Sequence, residues 1–222
     1  MAYGCVQDVP IGWEVYQQLM VEVGNAPAEG LVVHLVLRRP DGLRYLDVWE
    51  SREARQRFLN QRIHPVLPRL LARNGIRIQG EPPIDEVEVL DVMRGPRPRD
   101  TVMPYACVRD VPIGWETYQQ LMAEVGNAPA QGLVVHLVLR RPGGLRYIDV
   151  WESREMRQRF VDERIHPVLA RLLLRSGIQM QGEPPIDEIE VLDVMWGPRA
   201  RSHSACVSAG MVVNEDLKAV RR

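Results

Sequence analysis

The chain has 222 residues, of which 45% are hydrophobic and 26% charged; this places it with folded globular proteins and gives it room for one large domain or two small ones. Lys+Arg number 28 and Asp+Glu 29, for a formal net charge of -1. That balance supplies none of the long-range attraction on which nucleic-acid binders rely, so no nucleic-acid partner is expected.

Residues 3–8 are a short mixed run, read as a first strand. From Ile11 to Val23, the residues Trp13, Tyr16, Leu19, Met20 and Val23 recur at helical spacing, and Gly24-Asn25 stops the helix. After a loop containing Pro27, Leu31–Leu37 is a β-branched run that predicts a strand buried on both faces. A hairpin at Asp41-Gly42 leads into Leu43–Glu50. Ser51 suits an N-cap, and Glu53 complements the helix dipole. Ala54, Phe58, Leu59 and Ile63 form the apolar stripe of the second helix. Pro65 must disturb that helix near His64, because proline lacks the amide and clashes one turn back. A further helical piece, Val66 to Arg73, ends at Asn74-Gly75. Glu81-Pro82-Pro83 is a rigid connector, and Val87–Met93 is read as one last strand.

The whole pattern occurs twice. VPIGWE begins at Val9 and Val111, GLVVHLVLRRP at Gly30 and Gly132, and DVWESRE at Asp47 and Asp149. About 19 of about 97 aligned positions differ, a tandem repeat of far longer period than a solenoid's. The differences include Arg94 against Trp196, Asp41 against Gly143, Pro68 against Ala170 and Arg77 against Gln179. The first of these, at the end of the last strand, would open one pocket mouth and plug the other. The chain thus divides into modules at 1–100 and 101–201, with a tail at 202–222. Each module has the order β-α-β-β-α-β, the ferredoxin-like arrangement of an α+β fold. Two helices cover one face of a four-stranded sheet; the other face, equally apolar, needs a second sheet, and the repeat supplies it. The expected architecture is two modules packed sheet to sheet as an intramolecular pseudo-dimer, with a further homodimer left open.

The three cysteines are Cys5, Cys107 and Cys206, and no CxxC or Cys/His ligand spacing occurs, which argues against a metal site. The start MAYGCVQDVP lacks the pattern of a signal peptide, and the longest apolar run is far short of a membrane span. An odd cysteine count then fits a reducing cytoplasm, and no membrane partner is expected.

The segment GLRYLDVWESREARQRFLNQRIHPVL, with the preceding GLVVHLVLRRP, resembles the dimeric α+β barrel superfamily, particularly the group similar to antibiotic-biosynthesis monooxygenase domains. The resemblance spans nearly all of each repeat and leaves out only Ser202–Arg222, a tail expected either to be disordered or to lie across the barrel. It implies a small-molecule pocket between the sheet and helices of each module. It also implies chemistry as varied as cofactor-free oxygenation, cyclisation of polyketides, isomerisation of lactones and haem degradation, so function must be argued from the site.

Strand alternation groups Val32 with His34 and Val36, and Tyr45 with Asp47 and Trp49. His34 is the sharpest feature. An imidazole in an apolar strand is held in its neutral form and can serve as a base; the plainer alternative is a hydrogen-bonded core histidine. Asp47 paired with His34 would fix the imidazole tautomer, and Tyr45 and Trp49 would wall the pocket. The catalytic candidates are therefore His34, Asp47, His136 and Asp149. The substrate-binding candidates are Tyr45, Trp49, His64 and Trp13, with Tyr147, Trp151, His166 and Trp115 in the second module. Against these, Trp13 and Tyr16 sit at core spacing on the first helix, and His64 suits a partner for a helix C-terminus. Arg38, Arg39 and Arg44 form a hairpin cluster that either steers an anionic substrate or is simply hydrated.

These residues point to an enzyme of secondary metabolism that needs no cofactor and acts on an aromatic or polyketide-like small molecule by cyclisation, isomerisation or oxygenation. The alternatives are a non-catalytic binding or carrier protein for an apolar metabolite, and a haem-binding protein with His64 as ligand.

Overall fold

A computed structural model of the chain describes residues 2–24, 26–77, 80–95, 104–126, 128, 130–176, 182 and 184–198. The expected tail at 202–222, together with Cys206 and Gln179, lies outside the described residues.

The first half runs β1 (Tyr3–Val9), α1 (Trp13–Val23), β2 (Leu31–Arg39), β3 (Gly42–Trp49), α2 (Arg52–Phe58), a π-helical turn (Leu59–Ile63), α3 (Leu67–Arg73), β4 (Ile84–Val87) and β5 (Val89–Arg94). The second half repeats it as β6 (Tyr105–Val111), α4 (Trp115–Val125), β7 (Leu133–Arg141), β8 (Gly144–Trp151), α5 (Arg154–Phe160), a π-helical turn (Val161–Ile165), α6 (His166–Ser176), β9 (Ile186–Ile189) and β10 (Val191–Trp196). Ser51 caps α2 by accepting from the Ala54 amide at 3.2 Å. Gly42 turns the hairpin at φ +146, where a Cβ would lie 2.2 Å from the Val9 carbonyl oxygen.

Pro65 acts as anticipated, with a finer result. The ladder shifts to π geometry before it, the His64 amide donating five residues back to Leu59 at 2.8 Å. The halves then diverge. Pro68 stands in the first turn of α3, and its ring bars the helix from running back across His64. Ala170 lifts that restriction, and α6 begins at His166.

The last strand of each half is not continuous. It divides at Glu88 in the first half and Glu190 in the second. β4 pairs antiparallel with β1 of its own half, whereas β5 leaves for the second half and pairs with β7. β10 returns the exchange by pairing with β2. Each sheet therefore has five strands, in the orders β10-β2-β3-β1-β4 and β5-β7-β8-β6-β9. The exchange has a physical cause: β2 and β7 are apolar edge strands, and an open edge of that kind must be paired or covered.

The two sheets meet face to face. Val33, Leu35, Leu37, Leu46 and Val48 from one share a core with Val135, Leu137, Leu139, Ile148 and Val150 from the other. Val36 and Leu43 point the opposite way, under α1 and α3. Alternation thus assigns the helix side to His34, Tyr45, Asp47 and Trp49. Arg94 and Trp196 do not gate separate mouths, as their difference led us to expect. The two strand ends meet, with the Arg94 guanidinium over the Trp196 indole at 5.1 Å. Among the described residues no helix is long and apolar enough to cross a membrane.

The exchanged strands are pinned where they end. Gly197 donates to the Val32 carbonyl at 3.1 Å, and a Cβ there would lie 1.6 Å from the Leu31 carbonyl oxygen. Replacing Gly197 by alanine should destabilise the protein by about 3 kcal/mol, because strand backbone rather than a flexible side chain would have to move. Urea unfolding checks this; an unchanged midpoint would show that the end of β10 is not held.

Candidate active site

The hairpin β2–β3 sets His34 directly opposite Asp47, and β1 sets Gln7 opposite Tyr45. Above this row lie α1, which carries Tyr16, and α2, which carries Arg55. His34 Nδ1–H donates to Asp47 Oδ1, which fixes the imidazole tautomer and leaves the Nε2 lone pair on the other side. The Tyr16 hydroxyl lies 3.3 Å from Nε2 but donates its proton to Asp193 Oδ2 at 2.8 Å. Arg55 backs the row, with Nε 4.0 Å from Asp47 Oδ2 and Nη2 donating to Gln7 Oε1 at 3.1 Å. The result is a buried relay, Asp47–His34–Tyr16–Asp193, completed by a residue of the other half.

A bulge brings Asp193 in. The β10–β2 register slips between Val191 and Asp193. Val191 and Val194 remain in the inter-sheet core, while Leu192 packs on the helix side with α1. The extra residue turns Asp193 toward Tyr16 and away from a core that would leave its carboxylate unsatisfied. The second half is built alike: His136 Nδ1 bonds Asp149, and Tyr118 donates to Asp91 at 2.8 Å and lies 3.3 Å from His136 Nε2.

Apart from Asp193 and Asp91, the relay groups border a cavity in each half, about 890 Å³ in the first and 440 Å³ in the second. His34, Asp47, Tyr45 and Trp49 line the first, as do His136, Asp149, Tyr147 and Trp151 the second. The hydroxyls of Tyr45 and Tyr147 and the indole nitrogens of Trp49 and Trp151 are buried without a hydrogen-bond partner. His64 and His166 also reach the cavities, but at the rim, His64 bonded to Asn60 at 3.1 Å and His166 to Asp162 at 3.2 Å. Trp13 and Trp115 are not among the lining residues; each stacks on the relay tyrosine behind it, with ring centroids 5.2 Å apart. The hairpin arginines are engaged elsewhere, Arg39 and Arg44 with Asp8 and Arg38 with Glu190.

Sequence patterns alone did not assign Tyr16, Tyr118, Arg55, Arg157, Asp91 or Asp193 to the site. Arg55 carried a signal, since it lies one turn before Phe58 and Leu59 on the inward stripe of α2. Asp193 carried one too, as the lone acid in the apolar run VLDVM.

Burial, reinforced by Asp193, pushes the Tyr16 phenol well above its ordinary range, and burial with Asp91 does the same to Tyr118. Tyr45 and Tyr147 are raised chiefly by burial. Burial likewise pushes the Cys5 thiol up to about 12, which makes it a poor nucleophile at neutral pH. The phenols bear on alkaline stability. A group whose folded value is raised contributes stability below its unfolded value, near 10 for tyrosine, and that stability is lost as pH rises beyond it. Stability should fall above pH ~10 by about 1.4 kcal/mol per pH unit for each of the four tyrosines. Urea unfolding across that range, with the phenolate absorbance followed in parallel, checks this. Ionisation of all six tyrosines in the still-folded protein would contradict it.

No protein-family model matches the sequence, and no curated protein matches it. Solved structures do. A candidate monooxygenase from Lactobacillus acidophilus is similar with a TM-score of 0.59 at 9% identity, over 88% of this chain and 96% of that one. A candidate monooxygenase from Fusobacterium nucleatum is similar with a TM-score of 0.57 at 10% identity, over 88% of this chain and 94% of that one. At these identities the likeness is one of fold: the chain shares the α+β architecture of these two proteins.

Proposed function

We propose that the chain is an enzyme that removes a proton from an aromatic or polyketide-like small molecule, with His34 and His136 as bases. The observation that carries this reading is the relay at the floor of each apolar cavity. Asp47 holds the Nδ1 proton and Asp193 holds the Tyr16 proton, so His34, a residue of the cavity wall, keeps an unprotonated Nε2 as a base. A phenol or activated carbon acid lying against Tyr45 and Trp49 would give its proton to Nε2. The imidazolium formed is stabilised by Asp47, and the substrate anion spreads its charge over its own conjugated system. Cyclisation, isomerisation and oxygenation all begin with such a step, and this one uses only the chain's own side chains. The fold shared with candidate monooxygenases favours oxygenation among the three. We further propose that the halves 1–100 and 101–201 arose by tandem duplication, and that the protein acts in the cytoplasm.

A second reading, a binding or carrier protein, draws on the unpartnered Tyr45 hydroxyl and Trp49 indole nitrogen, which suit a ligand with oxygen acceptors. One experiment separates the two. The His34→Ala, His136→Ala double variant is assayed by absorbance and oxygen uptake against a panel of anthrones, hydroxynaphthalenes and cyclic diketones. The expected result is turnover lowered by about 10²- to 10⁴-fold in a variant that circular dichroism shows to be folded, with a lower melting temperature because Asp47 and Asp149 lose their partners. Full activity in the folded variant removes the histidines from catalysis. Tryptophan quenching by the panel without conversion by the unaltered protein favours the carrier.

A further inference from the structure

Beside the histidine–aspartate row the two cavities differ at one charged position; farther off, Arg77 and Glu81 also line the first. Gln7 faces Tyr45 across β1–β3, and Arg109 faces Tyr147 across the equivalent β6–β8 pair. Gln7 is fully engaged: its Nε2 donates to the Pro82 carbonyl at 2.9 Å, and its Oε1 accepts from Arg55 at 3.1 Å. In the second half that amide is replaced by a second guanidinium, and Arg157, the counterpart of Arg55, loses the acceptor that held it.

Arg157 is only 4% exposed. Among the described residues, the side chains of Arg109 and Arg157 make no hydrogen bond or ion pair, and the Nε of each is buried without a partner. The Arg109 guanidinium sits over the Tyr147 ring at 6.0 Å. Both arginines line the second cavity. Two such cations in one cavity repel each other, and the buried Arg157 has lost most of its water. Each site has two carboxylates, Asp47 and Asp193 in the first, Asp149 and Asp91 in the second. Beside these carboxylates the second therefore carries one guanidinium more.

We propose that the two cavities differ in the ligands they accept: the second takes an aromatic carboxylate, anchored by Arg109 and Arg157, which the first, open to uncharged aromatic molecules, does not. Arg109 is the residue that sets the difference. A planar carboxylate fits a guanidinium through paired hydrogen bonds and supplies the missing acceptors. The inference rests on the cavities being ligand sites, as proposed above.

Calorimetric titration of the full chain with naphthoate and with uncharged naphthol tests it. Naphthol should occupy both cavities, and naphthoate one per chain. Arg109→Gln should weaken naphthoate by about tenfold or more and leave naphthol unchanged, Arg109→Lys should restore part of the loss, and Gln7→Arg should create a second naphthoate site. Naphthoate binding unaltered in a folded Arg109→Gln variant, or equal in both cavities of the unaltered chain, overturns the proposal while naphthol binding leaves the cavities standing as ligand sites. If neither probe binds, the cavities are not such sites and both readings fall.

Discussion

The edge strands β2 and β7 impose the constraint from which the rest follows. Each is an apolar strand with one face toward the other sheet, and without a neighbour each would leave a row of peptide groups open beside oily side chains. The chain closes each edge with the terminal strand of the opposite half, so pairing and burial are settled together. Val33, Leu35 and Leu37 then meet Val135, Leu137 and Leu139 in one core, where each fully buried side chain contributes roughly 1.5–3 kcal/mol. A half without its counterpart lacks both the second sheet and the strand that closes its edge.

That closure also decides where polar chemistry can stand. With the inter-sheet side wholly apolar, His34 and Asp47 can be accommodated only beneath the helices, where Tyr16 and Arg55 supply partners. Burying an aspartate and an imidazole is costly unless they are paired, and here Asp47 and His34 satisfy each other. The rest of the first lining is mostly apolar, with Gln7, His64, Arg77 and Glu81 as its further polar residues, and burial strengthens the electrostatics within the relay.

Much of this was legible in the sequence because its signals were local or strictly periodic. The run from Leu31 to Leu37 could only be a strand buried on both faces, and a sheet with helices on one side then required a second sheet. His34 stood out because an imidazole is out of place in that run, and alternation set Asp47 within a row with Tyr45 and Trp49. The strand exchange was not legible: Val87–Met93 read as one last strand, which left out most of β4, and no property of Glu88 alone says that the chain changes sheets there. Asp193 was hidden for a related reason. Strict alternation from Val191 would aim it into the inter-sheet core, and only the bulge at Leu192, which depends on a partner strand far away in sequence, turns it to the helix side. Arg55 is hard to pick out because Arg52 and Arg57 beside it give the segment the pattern of a solvated charged face.

The exchange and the site are one arrangement seen at two scales. Tyr16 has a single hydroxyl proton and two acceptors within reach, Asp193 at 2.8 Å and His34 Nε2 at 3.3 Å. A carboxylate is the stronger acceptor and lies nearer, so it holds the proton. Take away β10 and the hydroxyl has only the imidazole to turn to; it would then cap Nε2 and occupy the lone pair on which base chemistry depends. The strand from the other half therefore does more than close an edge. By drawing the tyrosine proton to itself, it keeps the histidine nitrogen free, and the proposed base chemistry of each half then depends on the presence of its counterpart.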